Sequence, residues 1–274
     1  MSRPFDPARQ TDAVVKHARR GPGLDDEASR DPRDRGEPLP CFEEVADAVP
    51  GEIGPVTAAV LAPDSPVSEE FRILRTRVRR IDEERPFRCV GVVSSASGEG
   101  KTTISLGLAV AMAREPGCRV LLVEADVRRP AINDRLGLPH ASGLSEWLQS
   151  KDDAIPVKVV VPSRFSLLSA GAAALEHPEL LASARMSRLI EAARQYFDFV
   201  VVDCPPLMPV ADSALLQDLV DGFLLVVRAR HTPAETIRRA LSRLKAEKIQ
   251  GLVFNAQREL LRSSYGPSYK PYGQ

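Results

Sequence analysis

Between residues 89 and 103 the chain reads Cys89-Val90-Gly91-Val92-Val93-Ser94-Ser95-Ala96-Ser97-Gly98-Glu99-Gly100-Lys101-Thr102-Thr103. The apolar residues that open this stretch predict a short strand, and the apolar run from Ile104 to about Arg114 predicts a helix. The small side chains between them let backbone N–H groups converge on phosphate oxygens, and the helix N-terminus adds its dipole. The stretch therefore predicts a phosphate-binding loop between a strand and a helix.

The polar residues of this loop match the needs of a nucleoside triphosphate. Lys101 is expected to reach the β- and γ-phosphates, and the Thr102 hydroxyl to hold Mg²⁺. The usual pattern has a glycine five residues before its last glycine, where this chain has Ser95. An ordinary glycine-rich turn is the alternative, but Gly-Lys-Thr between a strand and a helix favours binding of ATP or GTP. The loop residues expected to contact the nucleotide are Ser97, Gly98, Glu99, Gly100, Lys101, Thr102 and Thr103.

The composition of the 274-residue chain argues against several classes of function. Its 37 basic and 37 acidic residues balance, so no nucleic-acid partner is expected. The four histidines are scattered, which gives no support for a metal cluster or a histidine-based triad. The four cysteines show no paired spacing, and the apolar runs are too short to cross a bilayer. We expect a cytoplasmic protein with reduced thiols.

Three regions are predicted along the chain. Residues 1–55 are expected to be a disordered or irregular extension, because polar residues and proline dominate and little apolar surface is available for burial. Residues 56–257 are expected to form the nucleotide-binding domain, which begins with a short edge strand over 56–61 and continues with a helix capped by Ser65. Residues 258–274 are expected to be a flexible tail, because Gly, Pro and Ser recur there.

From residue 88 onward the pattern alternates between strands and helices. The strand-like runs are apolar almost from end to end, which is typical of strands buried on both faces. We therefore predict an α/β fold with a doubly wound, mainly parallel sheet covered by helices. The strands are predicted at 89–94, 119–125, 165–170, 199–203, 222–228 and 251–255.

Acidic residues end two of these strands, at the edge where open α/β sheets bind ligands. Glu124 and Asp126 end the second strand, and Asp203 follows four apolar residues of the fourth. A single acid there is usually solvated or caps a helix, but two such sites after a phosphate-binding loop favour a metal–nucleotide site. Asp126 and Asp203 are expected to hold Mg²⁺ together with Thr102. Glu124 is the candidate for orienting or deprotonating an attacking hydroxyl.

These motifs carry a resemblance to a known family. The run Glu124-Ala125-Asp126-Val127-Arg128-Arg129-Pro130 resembles the Walker A′ motif of the bacterial tyrosine kinases (BY-kinases) of capsule and exopolysaccharide systems, although the family usually has Asp in place of Glu124. Asp203-Cys204-Pro205-Pro206 is similar to their Walker B motif, and residues 97–103 to their P-loop. The resemblance covers about residue 57 to the end and implies a P-loop NTPase of the deviant Walker A and Walker A′ group. It is strongest for the stand-alone cytoplasmic kinases, including the exosortase-linked ones.

The resemblance implies an ATP-dependent protein-tyrosine kinase that uses Mg²⁺, phosphorylates its own tail and regulates exopolysaccharide or capsule synthesis and export. Three of the four tyrosines, Tyr265, Tyr269 and Tyr272, lie in the last ten residues and are the expected phosphoacceptors. Asn255, at the end of the last predicted strand, is expected to contact adenine. The residues expected to carry the chemistry are Lys101, Glu124, Asp126 and Asp203.

The resemblance also implies an assembly and a partner. Residues 68–76 resemble the family's ring-assembly helix, with Glu69, Arg72 and Arg75 at three-residue steps along one side. A solvated face with intrahelical ion pairs is the plain alternative, but the resemblance favours contacts with acidic groups of the next protomer in a homo-oligomeric ring. The expected partner is a membrane-embedded chain-length determinant of a polysaccharide exporter, which would keep this protein peripheral at the inner face of the membrane.

Two other functions compete with this interpretation. A partitioning-type ATPase of the same deviant group would carry a signature lysine where this chain has Ala96. A catalytically silent module would bind nucleotide only to switch a polysaccharide export complex, and the Glu124 substitution and the short tyrosine tail keep that function open.

Overall fold

The computed structural model describes residues 39–171, 178–208 and 215–256, which lie in one compact unit that begins at Pro38. Residues 1–38 of the predicted N-terminal extension lie outside the described residues, and so does the whole predicted tail with Tyr265, Tyr269 and Tyr272. Within the described part, no helix is long and apolar enough to span a bilayer.

An eight-stranded sheet forms the centre of this unit. The strands in chain order are β1 (Cys41–Ala48), β2 (Cys89–Ser94), β3 (Val120–Glu124), β4 (Ala154–Val160), β5 (Phe165–Leu168), β6 (Phe199–Asp203), β7 (Gly222–Arg228) and β8 (Ile249–Asn255). They lie side by side in the order β1-β4-β5-β3-β6-β2-β7-β8, and every neighbouring pair is parallel except β4–β5. The predicted doubly wound, mainly parallel sheet is confirmed, and the β2 strand that feeds the phosphate-binding loop lies near its middle.

Helices cover both faces of the sheet. They are α1 (Pro55–Leu61), α2 (Pro66–Glu84), α3 (Lys101–Ala113), α4 (Ile132–Leu136), α5 (Leu144–Gln149), α6 (Ala184–Tyr196) and α7 (Ala234–Leu241). One apolar core packs α1 to α4 against one face, and the other packs α5 to α7 against the opposite face.

The helix that follows the phosphate-binding loop is buried on nearly all sides. α3 lies between the sheet and α2, and Gly107 allows the closest approach of these two helices. A Cβ atom at Gly107 would lie 2.1 Å from Cζ of Phe71, so any larger residue there would displace the ring. Because α3 packs against both the sheet and α2, the phosphate-binding loop at the N-terminus of α3 is anchored to the core of the fold.

Two segments near the N-terminus differ from the sequence-based expectations. Residues 41–48 belong to the stretch expected to be irregular, yet they form β1, which pairs in parallel with β4. β1 is an edge strand whose residues from Glu43 to Asp47 are exposed, so it lacks the apolar alternation that marks a half-buried strand. Residues 56–61, expected as an edge strand, lie in α1, which begins at Pro55 and buries Thr57 and Val60.

Candidate active site

The carboxyl ends of three neighbouring strands bring the predicted site residues together. β6 lies between β3 and β2, so Glu124 stands beside Asp203 in the sheet and the loop after β2 opens next to both. Gly98 and Gly100 in that loop have φ angles of 84° and 95°, in the left-handed region that glycine adopts without strain. The sequence therefore allows the loop to turn tightly into α3, whose first residue is Lys101.

Lys101 is the centre of a buried ion cluster. Its Nζ atom lies 2.8 Å from Oδ2 of Asp126 and 3.5 Å from Oδ1 of Asp203. Burial alone would lower the pKa of the Lys101 ammonium, but the negative charges of Asp203 and Asp126 outweigh it and raise that pKa above its ordinary value. Lys101 is therefore charged at neutral pH, and its ammonium group lies beside both acids at the start of α3.

Asp203 is completely buried, and its two carboxylate oxygens differ in their surroundings. Oδ1 accepts a hydrogen bond from the Ser105 hydroxyl at 2.9 Å, whereas Oδ2 has no hydrogen-bond partner among the described residues. Burial raises the pKa of this carboxyl, and the nearby Lys101 charge acts in the opposite direction. A buried oxygen without a partner is costly unless an ion or water completes the site.

The donor set fits Mg²⁺. Thr102, Asp126 and Asp203 offer hard oxygen ligands, and the unpartnered Oδ2 of Asp203 supplies a coordination position. Among the described residues, no group of three or more His, Cys, Asp or Glu side chains is arranged to hold a metal. Mg²⁺ is commonly held by one or two carboxylates together with substrate phosphates, so two acids and a hydroxyl are sufficient when a nucleotide is bound.

The Glu124 carboxylate contacts the main chain, whereas its expected role is to orient or deprotonate an attacking hydroxyl. Its Oε1 accepts hydrogen bonds from the backbone N–H groups of Ala131 at 2.6 Å and Ile132 at 2.7 Å, and its Oε2 from that of Ala170 at 3.1 Å. Burial raises the pKa of this carboxyl against the effect of the three N–H groups. Both oxygens are thus engaged by the main chain, which favours a positioning role over proton abstraction.

Asn255 lies against the phosphate-binding loop. Its Nδ2 donates to the backbone oxygen of Glu99 at 2.8 Å, and a Cβ atom on Gly100 would lie only 1.9 Å from that nitrogen. The Glu99 side chain accepts from the backbone N–H of Ala96 at 3.0 Å and from the Thr232 hydroxyl. The ends of β7 and β8 therefore hold the loop from one side, and the expected contact of Asn255 with adenine stays a prediction.

Several site residues were not predicted from the sequence. Ser105 has no motif of its own, although it follows Lys101 by four residues and so lies on the same side of α3. Arg129 reaches the loop from the Walker A′ run, with its Nη1 atom 3.4 Å from Oγ of Ser97. Arg135 donates to the Thr103 hydroxyl at 3.1 Å. Sequence spacing alone does not predict the contact of Ser105 with Asp203 or the contacts of the two arginines, because each of these joins two separate elements.

The predicted assembly residues divide into two groups. Glu69 and Arg72 form an ion pair on the exposed side of α2. Arg75 instead turns toward its own chain, where it donates to the backbone oxygen of Ala111 at 2.9 Å and lies 3.2 Å from Glu115. Within its own chain Arg75 is thus engaged by Ala111 and Glu115, and the expected row of three residues facing a neighbouring protomer stays a prediction.

Comparisons with known proteins agree with this geometry. A family model described as "ParA: NUBPL iron-transfer P-loop NTPase" matches residues 87–264. The chain is 31% identical over 211 residues to the tyrosine-protein kinase YwqD of Bacillus subtilis, an alignment that covers 76% of this chain and 89% of YwqD. It is 34% identical over 200 residues to the succinoglycan biosynthesis transport protein ExoP of Rhizobium meliloti. That alignment covers 71% of this chain but only 25% of ExoP.

A solved structure supports the same similarity. The kinase domain of the Escherichia coli tyrosine kinase ETK is 27% identical to this chain and superposes with a TM-score of 0.66. The superposition covers 82% of this chain and 86% of that domain.

Proposed function

Because the chain belongs to the bacterial tyrosine-protein kinases and carries their ParA-like P-loop domain, we propose that it transfers the γ-phosphoryl group of ATP to tyrosine hydroxyls of its own tail. The observation that carries this proposal is the buried cluster of Lys101, Asp126 and Asp203 at the phosphate-binding loop. The cluster combines a cation for phosphate oxygens with oxygen ligands for Mg²⁺, which phosphoryl transfer requires.

The reaction is an in-line displacement at phosphorus. The phenolic oxygen of tyrosine forms a new bond to the γ-phosphorus, and the bond from that phosphorus to the β,γ-bridging oxygen breaks with its electron pair leaving on ADP. Lys101 and the loop N–H groups stabilise the charge on the phosphate oxygens. Mg²⁺, held by Thr102, Asp126 and Asp203, would neutralise further charge on the nucleotide.

The tyrosine proton needs only weak assistance. A free phenol has a pKa of about 10, so in a loose transition state its proton leaves late, to water or to a carboxylate. Glu124 is buried and both of its oxygens already accept backbone hydrogen bonds, which leaves a tyrosine hydroxyl little access to this carboxylate. We therefore propose that Glu124 acts by holding the β3–α4 loop, and with it Asp126, in place.

The proposed role in the cell follows from the relatives. We propose that the chain regulates synthesis and export of an exopolysaccharide or capsule, as a peripheral protein bound to a membrane chain-length determinant. The support is the similarity to ExoP, a transport protein four times as long as the aligned region. Assembly into a homo-oligomeric ring through Glu69 and Arg72 belongs to the same proposal.

The test is autophosphorylation of the purified full chain in Mg-ATP, detected with anti-phosphotyrosine antibody and located by mass spectrometry. Lys101→Met should abolish the label. Lys158→Met is the matched control, because Lys158 is also buried but lies on β4, where its Nζ donates to the backbone oxygen of Pro139. If wild-type protein binds ATP yet acquires no phosphotyrosine with or without its membrane partner, the silent nucleotide-binding module is the correct function.

The acceptor residues are tested in the same assay. Replacing Tyr265, Tyr269 and Tyr272 together with Phe should remove most of the label and leave ATP binding unchanged. Tyr196→Phe is the control, because Tyr196 lies at the end of α6 with its ring edge-on to Phe42 at 5.5 Å. Phosphate located mainly on Tyr196 or on serine would contradict the assignment of the tail.

A further inference from the structure

The charge of the candidate site is unfavourable for a triphosphate. Two buried acids, Asp126 and Asp203, face one buried cation, Lys101, which leaves a net charge of −1 when all three are ionised. ATP adds up to four negative charges, and one Mg²⁺ ion compensates only two. Because like charges repel strongly in a poorly solvated site, we expect a further cation close to the terminal phosphate.

Arg129 lies at the entrance to this site. Its backbone N–H group donates to Oδ1 of Asp126 at 3.2 Å, which anchors the residue beside the expected metal ligand. Its guanidinium reaches across to the phosphate-binding loop, where Nη1 lies 3.4 Å from the Ser97 hydroxyl. Both side chains are exposed, so the contact lies at the open side of the loop.

The Arg129 guanidinium is available for a ligand. Among the described residues it forms no ion pair with a carboxylate, and its one side-chain contact, to Ser97, is long for a hydrogen bond. The loop itself offers no cation on this side, since Ala96 and Ser97 precede Gly98. A guanidinium presents several donors in a planar fork that matches phosphate oxygens.

We propose that Arg129 binds the γ-phosphoryl group and gives the site its preference for ATP over ADP. On nucleotide binding its guanidinium exchanges the Ser97 hydroxyl for γ-phosphate oxygens, while its backbone stays fixed on Asp126. Arg129 then provides in the same chain the second cation that phosphoryl transfer requires. The inference rests on the proposed nucleotide site, but not on the identity of the phosphoacceptor.

The experiment measures nucleotide affinity by calorimetry on the full chain with Mg²⁺, using ADP and the non-hydrolysable ATP analogue AMP-PNP. Arg129→Ala should weaken AMP-PNP binding by about 10- to 100-fold, as expected for lost charged hydrogen bonds, and leave ADP binding within about twofold. The substitution keeps the backbone N–H that contacts Asp126, so the turn is preserved. Arg129→Lys should restore part of the difference between the two nucleotides.

Arg77→Ala is the control, because it removes the same charge from an exposed position on α2, outside the candidate site. It should leave the ratio of the two affinities unchanged. The proposal is overturned if Arg129→Ala weakens both nucleotides equally, leaves both unchanged, or changes the ratio no more than Arg77→Ala does. Wild-type protein that distinguishes AMP-PNP from ADP but never labels tyrosine would refute the kinase and leave the Arg129 assignment intact; failure to bind either nucleotide would refute both.

Discussion

The carboxylate of Glu124 accepts a hydrogen bond from the backbone N–H of Ile132 at 2.7 Å, and this contact joins the end of β3 to the first residue of α4. The turn between them contains Asp126 and Arg129, two of the residues on which the proposed site depends. A third bond, from the backbone N–H of Ala170 beyond β5, extends the connection across the sheet. Glu124 therefore fixes the loop that carries the site.

Replacement of Glu124 with Gln should lower the free energy of unfolding by about 1–3 kcal/mol. The amide has one acceptor oxygen, and its NH₂ group would face a backbone N–H that then has no acceptor. Chemical denaturation measures the change. Glu235→Gln is the control, because Glu235 pairs with Arg238 on the exposed side of α7 and should change stability by less than about 0.5 kcal/mol. Unchanged stability with a large loss of labelling would instead make Glu124 the general base.

Asn255→Ala should weaken ATP and GTP binding by the same factor, roughly fivefold, and leave the preference between the two nucleotides unchanged. The reason is that Asn255 supports the loop through the Glu99 backbone oxygen, a contact that either nucleotide needs. Thr232→Val removes the other support of Glu99 and should act in the same direction. Titration with both nucleotides distinguishes support of the loop from contact with adenine. A selective loss of ATP binding would support the predicted contact of Asn255 with adenine.

Arg72→Ala and Arg75→Ala should have separable effects. Arg72 is exposed and pairs only with Glu69 among the described residues, so its loss should reduce the molar mass of the assembly without lowering the melting temperature. Arg75 holds Ala111 and Glu115 of its own chain, so its loss should destabilise the protomer. Light scattering after size exclusion and thermal unfolding measure the two effects. A fully assembled Arg72→Ala variant would refute the assembly role of α2.

The stability contributed by Asp221 should depend on pH. Its carboxylate accepts from the backbone N–H groups of Arg88 and Cys89, both at 2.8 Å, and pairs with Arg194 at 2.8 Å. Burial acts to raise the pKa of Asp221, but these partners outweigh it and lower that pKa below the ordinary value. The contribution is therefore complete above the unfolded pKa of about 3.9 and disappears as pH falls through the lower folded value.

The measurement compares Asp221→Asn with wild type by denaturant unfolding at several pH values. At pH 7 the variant should be less stable by about 2 kcal/mol, and the gap should close as the pH drops below about 4. Asp218→Asn is the control, since Asp218 forms an exposed pair with Lys245 that should contribute little to stability. A gap that stays constant with pH would show that the charge of Asp221 is not responsible.

The periodicity of the chain predicted most of the sheet, because β2, β3, β6 and β7 are buried on both faces and read as continuous apolar runs. The same periodicity did not predict the strands β1 and β4. β1 is exposed along most of its length, so its residues carry no burial pattern, and its pairing with β4 depends on a segment more than a hundred residues away.

From the amino-acid sequence we could predict the phosphate-binding loop, Lys101 and the acids at the strand ends, because the backbone requirements of a loop and a position at the end of a buried strand both show in consecutive residues. The contacts that those residues make depend on the folded structure. Glu124 meets three backbone N–H groups and Arg75 meets Glu115, although their spacing suggested a catalytic base and an outward-facing row. Such roles depend on which partners the packing of distant elements brings within hydrogen-bond reach, and no local pattern encodes that.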